Sequence, residues 1–168
     1  MKTEAKIMKF VGAVLIIAAF FLTGFSKNRK MYARCILWSN FIEGLGILES
    51  EICFSGTELK KAFKRTGSIC EAKVFSLAAE ELNKYGIDKA WENAVEKSDV
   101  NIKDRTIMLK LSSKIGKTDI KGQQKHIEYI CSLADAARIS AEKEYNEKGR
   151  LLCRGSVLLG LLVAVILM

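Results

Sequence analysis

The sequence predicts an all-α protein: a six-helix bundle flanked by an N-terminal and a C-terminal transmembrane helix. Three observations carry that prediction. The 168 residues include no proline, the residue that most disrupts helix interiors. Apolar residues collect at the two ends, while the middle is rich in Lys, Glu, Ala and Leu. Within that middle, apolar residues recur at steps of three and four, and no strand-like alternation competes with them. The chain therefore divides into a tail and first membrane helix (residues 1–26), a helical domain (27–150) and a terminal membrane helix (151–168).

The first apolar run, Phe10 to Phe25, carries no charge and is bracketed by Lys9 and Lys27. As a helix it is roughly 24 Å long, a little short of a ~30 Å hydrocarbon core. Ile7, Met8 and a snorkelling Lys9 make up the difference. A signal peptide also begins with charge followed by apolar residues. This run is long for one, however, and no A-x-A cleavage site follows, so an uncleaved span is expected. The second run, Leu151 to Met168, is broken only by Arg154, whose long side chain can reach the interface. Ser156, Gly160 and Ala164 fall four apart, a spacing that places small side chains on one face. Lys27, Arg29, Lys30 and Arg34 follow the first run, and Lys148, Arg150 and Arg154 lead into the second. These residues are the candidate membrane-surface contacts, and the positive flanks predict a cytoplasmic middle domain.

The first soluble helix shows an apolar stripe of Met31, Cys35, Trp38, Ile42, Leu45, Leu48 and Ile52. Gly44 and Gly46 interrupt it and suggest close packing or a bend. Ser55-Gly56-Thr57-Glu58 has the spacing of a capping box and predicts a short helix through Phe63. Ser68-Ile69-Cys70-Glu71 repeats the pattern and predicts a helix with Phe75, Ala78, Leu82 and Tyr85 inward, closed by Gly86. Asp88 can cap the next helix, whose inner face is Ala90, Trp91, Ala94 and Val95. Asn101 can cap another, carrying Ile107, Met108, Leu111 and Ile115 and stopped by Gly116. Thr118 starts the last helix, with Ile120, Ile127, Ala134, Ala141 and Tyr145 inward and Glu144 paired to Lys148.

Net charge is +8. A basic domain between apolar runs fits an anionic membrane surface better than nucleic acid. The odd cysteine count, Cys35, Cys53, Cys70, Cys131 and Cys153, with no C-x-x-C pair, predicts reduced thiols rather than a disulfide frame or a zinc site. The only histidine, His126, has no His or Cys one turn away to complete a metal site. There is no phosphate-binding glycine loop. Glu49 and Glu51 are the one carboxylate pair worth following, and a solvated face is the expectation even there. No catalytic residue, cofactor or metal is expected. The chemistry points to assembly rather than catalysis.

The order and spacing of the motifs resemble the stage III sporulation protein AB family over essentially the whole chain. The start KFVGAVLIIAAFFLTGF is similar to that family's first span. Leu48-Glu49-Ser50-Glu51-Ile52 with Ser55-Gly56-Thr57 resembles its L-E-x-E-I…T segment, and Ala90-Trp91-Glu92-Asn93-Ala94 its A-W-x-x-A helix. Gly116, Asp119, Gln123, Lys125, His126 and Ile127 reproduce its G-x-x-D-x-x-x-Q-x-K-H-I stretch, and the end from Gly155 resembles its terminal span. Glu58 stands where the family often has proline, and no proline follows the first span.

The resemblance implies a non-catalytic scaffold of a multiprotein channel complex, required for spore formation, at the mother-cell membrane facing the forespore. The implied soluble domain is similar to the cytoplasmic domain of the type II secretion inner-membrane platform protein. The implied partners are other membrane proteins of the complex, its cytoplasmic ATPase and membrane lipid. No nucleic acid is expected, and a homo-oligomer is compatible with the role. Asp119, Gln123 and His126 share one helical face where the resemblance is densest, and form the candidate docking face. The alternative reading is a membrane-tethered regulator or adaptor that binds anionic lipid or nucleic acid through its basic face.

Overall fold

The computed structural model describes residues 2–98, 100–149, 151, 155–156, 158–160 and 162–163, without the side chains of 2–11, 13, 16 and 20. Among them every regular element is helical. Helix α1 spans Lys2–Glu49 and passes into a π-helical turn at Ser50–Phe54. It is followed by α2 (Leu59–Ile69), α3 (Lys73–Glu81), α4 (Ile87–Lys97) and α5 (Ile102–Leu109). A 3₁₀ turn at Lys110–Ser113 leads to α6 (Ile120–Glu144), which ends in a π-helical turn at Tyr145–Gly149. The chain forms two compact units: Met1–Cys35 with Ser140–Met168, and Ile36–Ile139.

The core of the 36–139 unit is a cluster of aromatic rings. Phe41 of α1, Phe63 of α2, Phe75 of α3 and Trp91 of α4 are all fully buried. Their centroids lie 5.6 Å (Phe41–Phe75), 5.8 Å (Phe63–Trp91) and 5.7 Å (Phe75–Trp91) apart, the range in which ring pairs attract. Each of four helices therefore contributes one ring. Gly44 makes room for the cluster, since a Cβ there would lie 2.2 Å from Phe75 Cε2. Gly67 does the same between α2 and α3, where a Cβ would meet the Ser76 backbone at 2.5 Å. Met108, Leu111, Ile115, Ile127, Ile130 and Ala134 are buried as well. The Trp91 indole N–H donates to the Met108 carbonyl at 2.7 Å, so its one polar atom is satisfied inside the core.

In the other unit, Arg34 pairs with Glu144 at 3.1 Å, and Tyr32 packs on Tyr145 with centroids 5.5 Å apart. Gly149 comes so close to Asn28 that a Cβ would lie 2.5 Å from its Oδ1. As the first residue number falls its partner's rises, so the two segments run antiparallel. Glu144 also reaches Lys148 at 3.9 Å, the expected i,i+4 pair.

Several sequence expectations need correction. Neither Ser-x-x-Glu pattern forms a capping box. The N-cap of α2 is Glu58, with no side-chain cap, and the Thr57 hydroxyl donates to Glu51. Ser68 lies inside α2, which runs past Phe63 to Ile69, and its hydroxyl donates back to the Arg65 carbonyl at 2.7 Å. Helix α3 ends at Glu81, leaving Leu82 half-buried and Tyr85 exposed. Gly86 is the N-cap of α4 rather than the close of α3, and Asp88 pairs with Lys117 instead of capping. Asn101 caps α5 as expected, accepting from the Asp104 N–H at 2.9 Å. Helix α6 begins at Ile120 rather than Thr118, with Asp119 accepting the Gly122 N–H ahead of it, and Ile120 is exposed. Cys35, Cys53, Cys70 and Cys131 are thiols in no disulfide, and Cys153 lies outside the described residues.

The expected membrane helices are not shown. Among the described residues no helix is long and apolar enough to cross a membrane. The run from Leu151 falls largely outside those residues, as do the side chains of Phe10, Val11, Ala13, Ile16 and Phe20 in the first run.

Candidate functional site

Asp119, Gln123 and His126 lie in the first turns of α6; Asp119 and Gln123 bond to the backbone where the helix begins, and His126 to the 3₁₀ turn before it. Asp119 Oδ1 accepts the Gly122 N–H at 3.1 Å, satisfying one of the donors a helix start leaves open. Gln123 spans the loop before it. Its Oε1 accepts the Gly116 N–H at 2.9 Å, and its Nε2 donates to the Thr118 carbonyl at 2.9 Å. The loop needs that clamp because Gly116 sits at φ +72°, a left-handed turn natural only to glycine.

His126 is 7% exposed. Its Nε2 lies 2.9 Å from the Lys110 carbonyl, 3.2 Å from the Leu111 carbonyl and 3.2 Å from Ser113 Oγ. Ser113 already donates its proton to the Lys110 carbonyl at 2.9 Å. All three neighbours thus accept, and the arrangement requires the proton on Nε2. The ring covers the carbonyls of the first two residues of the 3₁₀ turn and ties that turn to α6. Of this face Asp119 is exposed, Gln123 half-buried and His126 buried; Lys121, Lys125 and Tyr129, elsewhere around the same turns, are exposed.

Glu51, in the separate Leu48–Thr57 segment, has a comparable role. It is 7% exposed, accepts the Thr57 hydroxyl at 2.9 Å and pairs with Arg65 Nε at 3.2 Å. The Glu51 carbonyl also accepts the Thr57 N–H at 2.9 Å. These bonds close the π-helical turn and the Gly56 bend (φ +61°) and join them to α2. Arg65 is the residue that sequence reading missed. It lies in a different helix, among Lys60, Lys61 and Lys64, and nothing in the sequence pattern sets it apart from them.

A third polar tie joins α3 to α4. Glu81 accepts from the Lys97 ammonium and from Asn93, the latter at 3.0 Å, and these bonds hold its carboxyl below the usual range. On the adjacent loop, Lys117 Nζ lies 2.6 Å from both oxygens of Asp88 and lowers that pKa in the same way. Burial pushes the Cys131 thiol up to about 11, with Glu49 and Glu128 adding to the rise, so it behaves as an apolar group rather than a nucleophile.

The candidate membrane-surface residues lie in the paired segments. Lys27, Arg29, Lys30 and Lys148 are exposed, Arg34 is half-buried in its pair with Glu144, and Arg150 and Arg154 lie outside the described residues. Beside these cations the same unit leaves large apolar side chains uncovered: Leu15, Phe21, Leu22 and Phe25 on α1, and Leu151, Leu158, Leu159 and Leu162 on the returning segment. Such a surface marks an interaction face.

Comparison with known proteins gives a consistent result. The family model for stage III sporulation protein AB matches residues 9–168. The stage III sporulation protein AB of Bacillus subtilis (strain 168) is 27% identical over 171 residues, covering 96% of this chain and 99% of that protein. A solved structure of stage III sporulation protein AB (SpoIIIAB) superposes with a TM-score of 0.60 at 21% identity, covering 67% of this chain and 96% of the other, a likeness of fold.

Proposed function

The chain belongs to the stage III sporulation protein AB family, and from that premise we propose that it is a non-catalytic, membrane-anchored scaffold of a sporulation channel complex. In this reading both apolar ends enter the mother-cell membrane facing the forespore. The 36–139 unit stands in the cytoplasm and links an ATPase of the complex to its membrane components.

The observation that carries the reading is the chemistry of the paired segments. Uncovered leucines and phenylalanines sit beside Lys27, Arg29, Lys30 and Lys148. Apolar side chains next to cations suit hydrocarbon bordered by anionic headgroups. The uncharged run Phe10 to Phe25 continues that surface toward the N-terminus. In the 36–139 unit the buried carboxylate, histidine and indole each hold one element against another, which is how a rigid presenting surface is made.

Recovery of the full chain from membranes of sporulating cells tests the reading. Retention of other membrane proteins and an ATPase supports it. A chain that fractionates wholly with soluble protein refutes the anchoring, and a membrane-bound chain without partners refutes the scaffold.

A further inference from the structure

The paired segments of the unit formed by 1–35 and 140–168 do not close on each other completely. Thr23, Gly24 and Lys27 on α1, with Lys148, Leu151, Gly155, Ser156 and Leu159 on the returning segment, line an open groove of about 450 Å³. Ligand sites commonly span ~300–1,000 Å³. The space exists because much of the wall is small. A Cβ added at Gly155 would meet nothing within 4 Å.

The lining has two chemistries. Lys27 is exposed and makes no ion pair among the described residues, and the carboxylate paired with Lys148, that of the half-buried Glu144, lies 3.9 Å away. Neither ammonium is closely neutralised. Leu151 is 70% and Leu159 56% exposed, so the apolar part of the wall is bare. Because the segments are antiparallel, Lys27 and Lys148 stand at one end of the groove. Thr23, Gly24, Ser156 and Leu159 follow within about three helical turns.

We propose that this groove binds one anionic phospholipid, its headgroup phosphate between Lys27 and Lys148 and an acyl chain along Leu151 and Leu159. The inference rests on the membrane-anchored reading and adds a discrete lipid site to it. A free phosphate would engage the two lysines and leave the leucines bare. A zwitterionic lipid would cover the leucines and leave the lysines unneutralised. Only an anion carrying hydrocarbon meets both.

The test uses the full chain purified in neutral detergent, titrated with phosphatidylglycerol or phosphatidylcholine and read by native mass spectrometry as lipid retained per chain. Wild type is expected to retain phosphatidylglycerol and not phosphatidylcholine. Lys27→Gln with Lys148→Gln should weaken retention about tenfold or more, the scale of two lysines at an anionic surface, and the double Arg variant should restore it. Gly155→Leu fills the groove while keeping both lysines and should weaken retention as well. Lys73→Gln with Lys103→Gln, exposed in the other unit, should leave it unchanged.

Unaltered retention in Gly155→Leu would mean surface charge without a groove and would overturn the proposal. So would an equal loss in the Lys73/Lys103 control, or displacement of the lipid by millimolar inorganic phosphate. Membrane fractionation of the same variants separates the two readings. Lost lipid retention in a protein still found in membranes concerns the groove, whereas a wild type absent from membranes overturns the anchoring itself.

Discussion

His126 and Gln123 show how a motif visible in the sequence acquires a different weight once its bonds are seen. Their spacing on one face was legible, but the partners are carbonyls and an N–H lying five to sixteen residues back along the chain, which no helical periodicity reveals. Removing the His126 ring strands carbonyls it covers in the interior, a loss of about 1–3 kcal/mol, whereas the Gln123 bonds are exposed and their loss costs about 0.5–1.5 kcal/mol. His126→Ala should therefore lower the melting temperature by several degrees in thermal denaturation, and Gln123→Ala by less. An unchanged melting temperature with loss of complex recovery would instead assign this face to partner docking.

The two tryptophans make a sharper comparison. Both were legible as core, yet only Trp91 satisfies its N–H, at the Met108 carbonyl, while Trp38 Nε1 is buried without a partner. Trp91→Phe should cost about 1–3 kcal/mol more than Trp38→Phe in denaturant unfolding. Trp91→Ala should cost about 3–5 kcal/mol through the cavity it leaves among three rings.

At the scale of elements, helix existence was legible and helix ends were not. The stripe from Cys35 to Ile52 marked α1, and the Ala90–Trp91–Ala94–Val95 face marked α4, because burial follows the 3.6-residue period. The stripe took Ile42, which is only half-buried, in place of Phe41, the ring that links α1 to Phe75 and Trp91, because steps of three and four fit both residues. Both Ser-x-x-Glu patterns misled for a physical reason. A four-residue pattern cannot show that α2 starts only at Leu59, three residues past the position Ser55 would cap, or that α2 runs straight through Ser68. Gly44 was legible as a close approach, and Gly44→Ala should destabilise by about 1–3 kcal/mol because Phe75 must move.

The ties around α4 give a pH dependence. Glu81 and Asp88 have folded pKa values below their ordinary 4.5 and 3.8. A depressed carboxylate contributes stability above its unfolded pKa and loses it as pH falls through the folded value. Acid unfolding should therefore steepen below about pH 4.5. Glu81→Gln with Asp88→Asn should flatten that acid limb by removing the same contribution at neutral pH, a modest one because both pairs are partly solvated. Lys97 is raised above 10.5 by Glu81, so the same tie is intact below that value and weakens as pH rises through the lysine's folded pKa.

On the scale of the whole molecule, the family was legible from the order of weak motifs, and the family match over residues 9–168 agrees with it. The purpose of those motifs was not. Glu51 with Thr57 and Asp119 with Gln123 mark the turns where the chain changes direction, so their spacing records architecture more than chemistry. The division at residues 35 and 140 was also invisible, because α1 and α6 continue through it without a break in helical pattern. The central claim is that the apolar, cation-flanked ends hold this chain in a membrane as part of an assembly. Alkaline carbonate extraction of membranes from sporulating cells, followed by affinity recovery in detergent, tests it most directly. The account predicts that the chain resists extraction and returns with other membrane proteins and an ATPase. Release of the chain into the carbonate supernatant, free of partners, would contradict it.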